Sequence, residues 1–147
     1  QAAYIISFNL IGGAFARVPI GWLSDRIEGK WLLILFNFLM FVTMVVIWQS
    51  RDITVLAGAS LVFGFSYGAA YTLVPLMVGS YYGVTHFPKI VGFMIPIEYG
   101  LGALVPVVAG YIHQVYKSYD YFFIGLLILL ALSVVSTFVL TPPKKPA

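Results

Sequence analysis

Five long apolar stretches make up most of this 147-residue chain. Each has about 20 residues or more, the length that an α-helix needs to cross the ~30 Å hydrocarbon core of a bilayer. Because their apolar residues run continuously rather than alternating with polar ones, they predict helices and not the strands of a barrel. They are Ala2–Leu23, Trp31–Gln49, Ile53–Tyr82, Ile90–Tyr116 and Tyr119–Leu140. We therefore expect an all-α integral membrane protein with five spans.

The composition supports a membrane location and argues against several other classes of protein. The chain is 61% hydrophobic and 9% charged, whereas a soluble domain carries about 25% charged residues. It has no cysteine, so disulfides and thiolate metal sites are excluded. His86 and His113 lie far apart near span ends, and no nucleophile–base pair or paired carboxylates occur at membrane depth. We expect no metal, no cofactor, no bound nucleic acid and no enzyme activity.

Short connections and the distribution of positive charge predict the topology. The connections are Ser24–Lys30, Ser50–Asp52, Gly83–Lys89 with Pro88 opening the fourth helix, and the pair Lys117 and Ser118. One side of the membrane holds Arg26, Lys30, Lys89, Lys144 and Lys145, and the other holds Arg51 and Lys117. Cytoplasmic loops carry the excess of Lys and Arg. We therefore expect a cytoplasmic C-terminus with a basic tail over residues 141–147, an external N-terminus, and a multi-pass protein of the plasma (inner) membrane.

Two full charges lie deep inside the predicted spans, Arg17 in the first and Glu98 in the fourth. Counted at ~1.5 Å per residue from the cytoplasmic edge, Arg17 lies ~12 Å deep, Glu98 ~13 Å and Tyr71 ~16 Å. Charged groups at that depth usually face the interior of a bundle and have a function. Arg17 suits a carboxylate ligand, and Glu98 can exchange a proton. The alternative is a permanent Arg17–Glu98 ion pair that only joins helices.

The distribution of small and polar residues predicts how the spans pack. Small residues such as Gly64 and Gly68 in the third span allow close helix contact. The fourth span combines glycines with Pro96 and Glu98, which is typical of a bending helix beside a cavity. Spans two and five are almost wholly apolar and are expected to lie outermost, facing lipid. Asn37, within span two, is expected to hydrogen-bond to another helix.

A loop motif between the first two spans links the chain to a known family. It consists of Gly21, Asp25, Arg26, Gly29 and Lys30, which we call the signature loop. It resembles the cytoplasmic signature loop of the major facilitator superfamily, except for one extra residue before the second glycine and a thinner basic run. Gly21 would allow close helix contact. The resemblance implies that the loop is a conformational latch.

The resemblance implies a fold and a partial chain. Superfamily members usually have twelve helices in two halves, and the five spans resemble helices eight to twelve. Residues 1–147 would then form most of the C-terminal six-helix half, so we expect a fragment whose missing N-terminal helices belong to the same protein. The segment Phe15–Pro19 is similar to the eighth helix of monocarboxylate transporters, where the arginine binds the substrate carboxylate; oxalate/formate antiporters are equally similar. The acidic residue that family carries one turn earlier is Gly13 here, so Glu98 becomes the candidate for proton coupling.

The predicted function is secondary active transport of a small organic anion, a monocarboxylate, by alternating access. Protons are the candidate coupled ion. The sequence does not distinguish symport from antiport. Arg17, Tyr71 and Glu98 are the predicted substrate-binding residues. Two alternatives stay open at this point. One is a transporter of the same fold for a neutral sugar, drug or metabolite. The other is a membrane fragment that transports nothing, because five helices cannot enclose a pathway built from two halves.

Overall fold

The computed structural model describes residues 2–140, and this part of the chain consists of helices joined by short turns. α1 spans Ala2–Ser24, α2 Gly29–Gln49, α3 Ile53–Tyr116 and α4 Asp120–Val139. All four are long and apolar enough to cross a membrane. The prediction of an all-α membrane fold is confirmed. The predicted basic tail, 141–147, lies outside the described residues.

Helix α3 contains two predicted spans, which are separated by one glycine. Among the residues of α3, Gly83 has non-helical dihedral angles, φ 69° and ψ 173°. It divides the helix into a first limb, 53–82, and a second limb, 84–116. The predicted connection over Gly83–Lys89 is therefore shorter than expected, and the second limb begins at Val84 rather than at Ile90. A glycine reaches positive φ without a steric penalty, so one residue suffices for the turn.

Glycines bring α1 and the first limb into backbone contact. A Cβ atom added to Gly64 would lie 2.8 Å from the Cα of Asn9, and one added to Gly68 would lie 2.7 Å from the Cα of Gly13. A Cβ on Gly12 would lie 2.9 Å from a backbone nitrogen of the first limb. The prediction of close packing through Gly64 and Gly68 is confirmed. Because residue numbers rise together along both helices, α1 and the first limb run parallel.

The buried core is shared by three helices. It consists of Ala16, Ile20, Leu32, Leu33, Phe36, Ala69, Leu73 and Met77. Helix α2 supplies three of these residues and is the most buried of the four helices, so the expectation that it lies outermost is wrong for this part of the protein. A helix that is apolar on all sides does not reveal which face packs on protein. In α4 Thr137 is buried and most other residues are exposed, in keeping with a peripheral helix.

Two polar contacts join α2 to α4 and show that they run antiparallel. The buried Asn37 donates from Nδ2 to Thr137 Oγ1 at 3.3 Å. Near the opposite end, Trp48 Nε1 donates to Asp120 Oδ1 at 2.9 Å. The prediction that Asn37 hydrogen-bonds across helices is confirmed. In an apolar environment a bond such as that of Asn37 is worth about 0.6 kcal/mol, so it sets register more than it adds stability.

Candidate functional site

A cavity of about 650 Å³ lies between the two limbs of α3, with α2 and α4 forming the rest of its wall. The first limb lines it with Tyr67, Tyr71 and Pro75, and the second limb with residues around Glu98. Most other lining residues are aliphatic or methionine. Its size lies within the range of small-molecule sites, which are largely apolar with a few polar groups. The expectation that the fourth predicted span lies beside a cavity is thus confirmed.

Tyrosines surround the one charged side chain among the described residues that line the cavity. Glu98 lies within electrostatic range of Tyr67 and Tyr71. The rings of these two tyrosines have centroids 6.2 Å apart. Tyr99, on the second limb, lies near Tyr71. The structure therefore brings together two of the three predicted binding residues, Tyr71 and Glu98, and adds two phenol groups.

Arg17 lies outside the lining of this cavity. Its side chain is exposed, although two neighbours on α1 are fully or almost fully buried, Ala16 at 0% and Ile20 at 2% exposure. Arg17 therefore occupies the edge of the surface that α1 packs on the first limb. Within residues 2–140 no ion pair joins Arg17 to Glu98 or to another acidic residue, so the alternative of a helix-joining ion pair is not seen in this structure.

Packing register nevertheless places Arg17 level with Tyr71. Gly13 of α1 packs on Gly64 and Gly68 of the first limb. Arg17 follows Gly13 by four residues, and Tyr71 follows Gly68 by three, so each lies about one helical turn beyond the same contact. Because the two helices run parallel, both side chains lie on one flank of the pair at one depth. This agrees with the depth estimated from the loops.

The signature loop is a tight turn with local contacts. The guanidinium of Arg26 lies 4.2 Å from the ring centroid of Trp22, a cation–π contact. Ser24 Oγ donates to the Gly21 carbonyl at 2.7 Å. Asp25 is exposed and has no salt bridge within the described part of the chain. No described atom lies within 4 Å of the position of a Cβ on Gly21, so the helix contact expected there is absent from residues 2–140.

The last two residues of the signature loop contact other helices. Lys30 Nζ donates to the carbonyl of Phe138 at 3.0 Å, near the end of α4, where free carbonyls and the helix dipole attract a cation. A Cβ on Gly29 would lie 2.9 Å from Cγ of Met77, in the first limb. The loop is thereby tied to both α3 and α4. A loop motif alone carries no signal for these distant partners.

Sequence reasoning missed the contribution of α2 and α4 to the cavity. Met40 and Asn37 of α2 and Ser133 of α4 line it, but both helices have the composition of outer helices. The sequence offered one indication that these helices line a cavity. Their apolar runs are interrupted by polar residues, namely Asn37, Ser133 and Thr137. Polar residues at membrane depth usually face protein or a cavity.

A bundle of apolar helices around a cavity with polar groups near mid-depth is the architecture of a membrane transporter rather than of a soluble enzyme. The family model of the Major Facilitator Superfamily matches residues 1–147, the whole chain. The chain therefore belongs to the Major Facilitator Superfamily, a family of transporters, and its helices are those of an integral multi-pass membrane protein.

One relative is named for sugars rather than for carboxylates. Monosaccharide-sensing protein 3 of Arabidopsis thaliana is 35% identical over 74 residues. The match covers 50% of this chain and 10% of the relative, so the chain spans at most a small part of that protein's length. No solved structure matches the chain significantly.

Proposed function

We propose that this chain is the C-terminal part of a transporter that moves a small organic anion, a monocarboxylate, by alternating access. The observation that carries the proposal is the placement of Arg17. It is exposed, lies level with Tyr71 on one flank of the α1–first limb pair, and has no ion-pair partner among residues 2–140. A cation at this depth is stabilised by an anion that enters the site.

Arg17 would bind the substrate carboxylate. The guanidinium is planar, always charged, and able to donate two parallel hydrogen bonds to the two carboxylate oxygens. A lysine has the same charge but lacks this geometry. The hydroxyl of Tyr71 would donate a further hydrogen bond from the same flank.

Glu98 would carry a proton or balance charge. It lines the same cavity as Tyr71. A carboxyl group that alternates between a polar and a desolvated setting binds and releases a proton as its environment changes. This would couple entry of the anion to entry of a proton.

The proposed arrangement in the membrane follows the positive-inside rule. The signature loop and the C-terminus would lie in the cytoplasm of a cell whose plasma membrane holds the protein. Asp25 and Arg26 would then be exposed at the cytoplasmic face, available to helices of the same protein that complete the pathway. There the loop would stabilise one of the two access states.

The test is uptake of labelled lactate or pyruvate by the full-length protein in proteoliposomes. We expect Arg17→Ala to abolish uptake and Arg17→Lys to reduce it at least about tenfold, because a bidentate charge-assisted contact is worth more than 1.4 kcal/mol. Arg51→Ala is the matched control, since Arg51 is an exposed arginine between α2 and α3, and it should leave uptake unchanged. Uptake that persists in Arg17→Ala would overturn the proposed role.

Proton coupling is tested separately with Glu98→Gln. The amide keeps the shape of the side chain but cannot exchange a proton. We expect uptake by the variant to lose its dependence on a pH gradient, while Glu28→Gln, in the exposed signature loop region, keeps it. An unchanged pH dependence in Glu98→Gln would remove Glu98 from proton coupling.

A neutral sugar is the second candidate substrate. The phenol groups of Tyr67, Tyr71 and Tyr99, together with Glu98, would provide the hydrogen bonds that sugar hydroxyls need. The similarity to a monosaccharide-sensing protein also favours it. Uptake of labelled glucose that falls in Tyr71→Phe but not in Arg17→Ala would support this candidate and exclude the carboxylate.

A further inference from the structure

We propose that the cavity between the two limbs of α3 is a binding site for a hydrophobic monoamine in its ammonium form. This goes beyond the proposed transport, because it concerns a cationic ligand that Glu98 binds directly, whereas Arg17 would bind the transported anion. Arg17 does not line the cavity, and the charge that does is negative. The site is therefore complementary to a cation and not to a carboxylate.

The charge of the cavity comes from Glu98. The other polar lining groups are neutral: the tyrosine hydroxyls, Asn37, Thr137 and Ser133. Asn37 and Thr137 are hydrogen-bonded to each other, so the amide protons engaged there are not free for a ligand. A carboxylate with phenol rings beside it attracts an ammonium group through both an ion pair and cation–π contact.

The apolar walls define the rest of the ligand. Aliphatic and methionine side chains from α2, both limbs of α3 and α4 form most of the lining. A volume of about 650 Å³ admits an aromatic or branched aliphatic body, and methionine adapts to irregular shapes. One charge among apolar walls selects a ligand with one cationic group, since a second charge would be buried without a partner.

The experiment compares two probes that share one apolar body, one with a charged ammonium group and one with a neutral amide. Naphthylethylamine is a cation at neutral pH, whereas its N-acetyl derivative is neutral and has the same apolar body. Each is titrated calorimetrically into the full-length protein in detergent micelles, with protein-free micelles as the blank. We expect the amine to bind at least about tenfold more tightly than the amide, the ratio that one charge-assisted contact provides. Equal affinities would overturn the proposal.

Variants of the cavity locate the site. Glu98→Gln should make the affinities for the amine and the amide equal. A preserved preference for the amine in this variant would overturn the proposal. Ser133→Leu fills the cavity from α4 and should weaken both probes by about tenfold or more. Ser136→Leu is its matched control, because Ser136 is exposed on the same helix and does not line the cavity. Loss of binding in Ser136→Leu but not in Ser133→Leu would also contradict the proposed location.

The result is distinguishable from that of the transport proposal. Arg17→Ala should leave the affinity for naphthylethylamine unchanged, because Arg17 lies outside the cavity. If lactate uptake proves independent of Arg17 while the amine still binds through Glu98, the transport proposal fails and the amine site stands. If the amine shows no preference over the amide while uptake depends on Arg17, the amine site fails alone.

Discussion

The two limbs of α3 are similarly rich in glycine but lie in different surroundings. In the first limb, Gly64 and Gly68 are in backbone contact with α1. In the second limb, a Cβ added to Gly92, Gly100, Gly102 or Gly110 would meet no described atom within 4 Å apart from the adjoining turns of its own helix. The same residue type thus serves close packing in one limb and faces open space in the other. Glycine content alone does not identify a helix contact; the partner helix does.

The two limbs also differ in how firmly neighbouring helices hold them as walls of the cavity. The first limb is held by α1 and α2, so its tyrosines have a fixed support. The second limb, which carries Glu98 and Tyr99, is almost entirely exposed within the described residues and is joined to the first limb through Gly83. The structure therefore combines a supported wall of the cavity with one that has few contacts.

The largest expected effect is that of a methyl group at the tight contact. Gly64→Ala places a Cβ against the backbone of Asn9, which cannot move aside as a side chain can, and should destabilise the protein by about 1–3 kcal/mol. The measurement is thermal unfolding of the full-length protein in detergent.

Gly100→Ala is the counterpart in the second limb. It should be neutral or stabilising by about 0.5–1 kcal/mol, because alanine favours a helix over glycine. A loss of stability as large as that of Gly64→Ala would end the contrast between the limbs, and would mean that a helix beyond residues 2–140 packs on Gly100.

The second effect tests whether the limbs are separate helices. Gly83 has a φ of 69°, a conformation that costs an L-residue about 1–2 kcal/mol. Gly83→Ala should therefore lower stability by that amount although no described atom crowds the site. Gly92→Ala, at an equally open position with helical geometry, is the control. Equal unfolding temperatures for the two variants would show that the turn at Gly83 does not require positive φ in the full-length protein.

The smallest effect concerns the helices that complete the cavity. Thr137→Val keeps the shape of the side chain and removes the acceptor of the Asn37 bond. We expect a loss of about 0.6 kcal/mol in the free energy of unfolding. Thr85→Val, at an exposed threonine at the start of the second limb, should change stability by less. A Thr137→Val protein as stable as the parent would show that the second wall does not depend on this bond.

Much of the fold was predictable from the sequence because the bilayer restricts the choices. Backbone groups in lipid must be satisfied internally, so a long apolar run becomes a helix. The prediction of the Asn37 bond succeeded for the same reason: an amide in an apolar run needs a partner. The position of α2 was predicted wrongly, because its apolar residues suit contact with lipid and contact with Leu73 and Met77 equally well.

The candidate site was predictable in depth but not in detail. Counting residues from the loops placed Arg17, Tyr71 and Glu98 at similar levels, and the packing register of Arg17 against Tyr71 agrees. Counting gives the depth of a residue but not the direction in which its side chain points from the helix. It therefore could not predict that Glu98 lines the cavity while Arg17 lies outside it. Tyr99 became a candidate binding residue only because the structure places it near Tyr71.

The sequence by itself determined the helical class, the approximate spans, the signature loop and the depth of the charged residues, because each follows from apolar length and position along one chain. The tertiary structure alone decided which glycines are in contact, that α2 is central and that Gly83 is the whole connection between two spans. It also decided that a cavity lined by Glu98 lies between those spans. These features depend on which faces of similarly apolar helices meet, and that is settled by close packing of side chains.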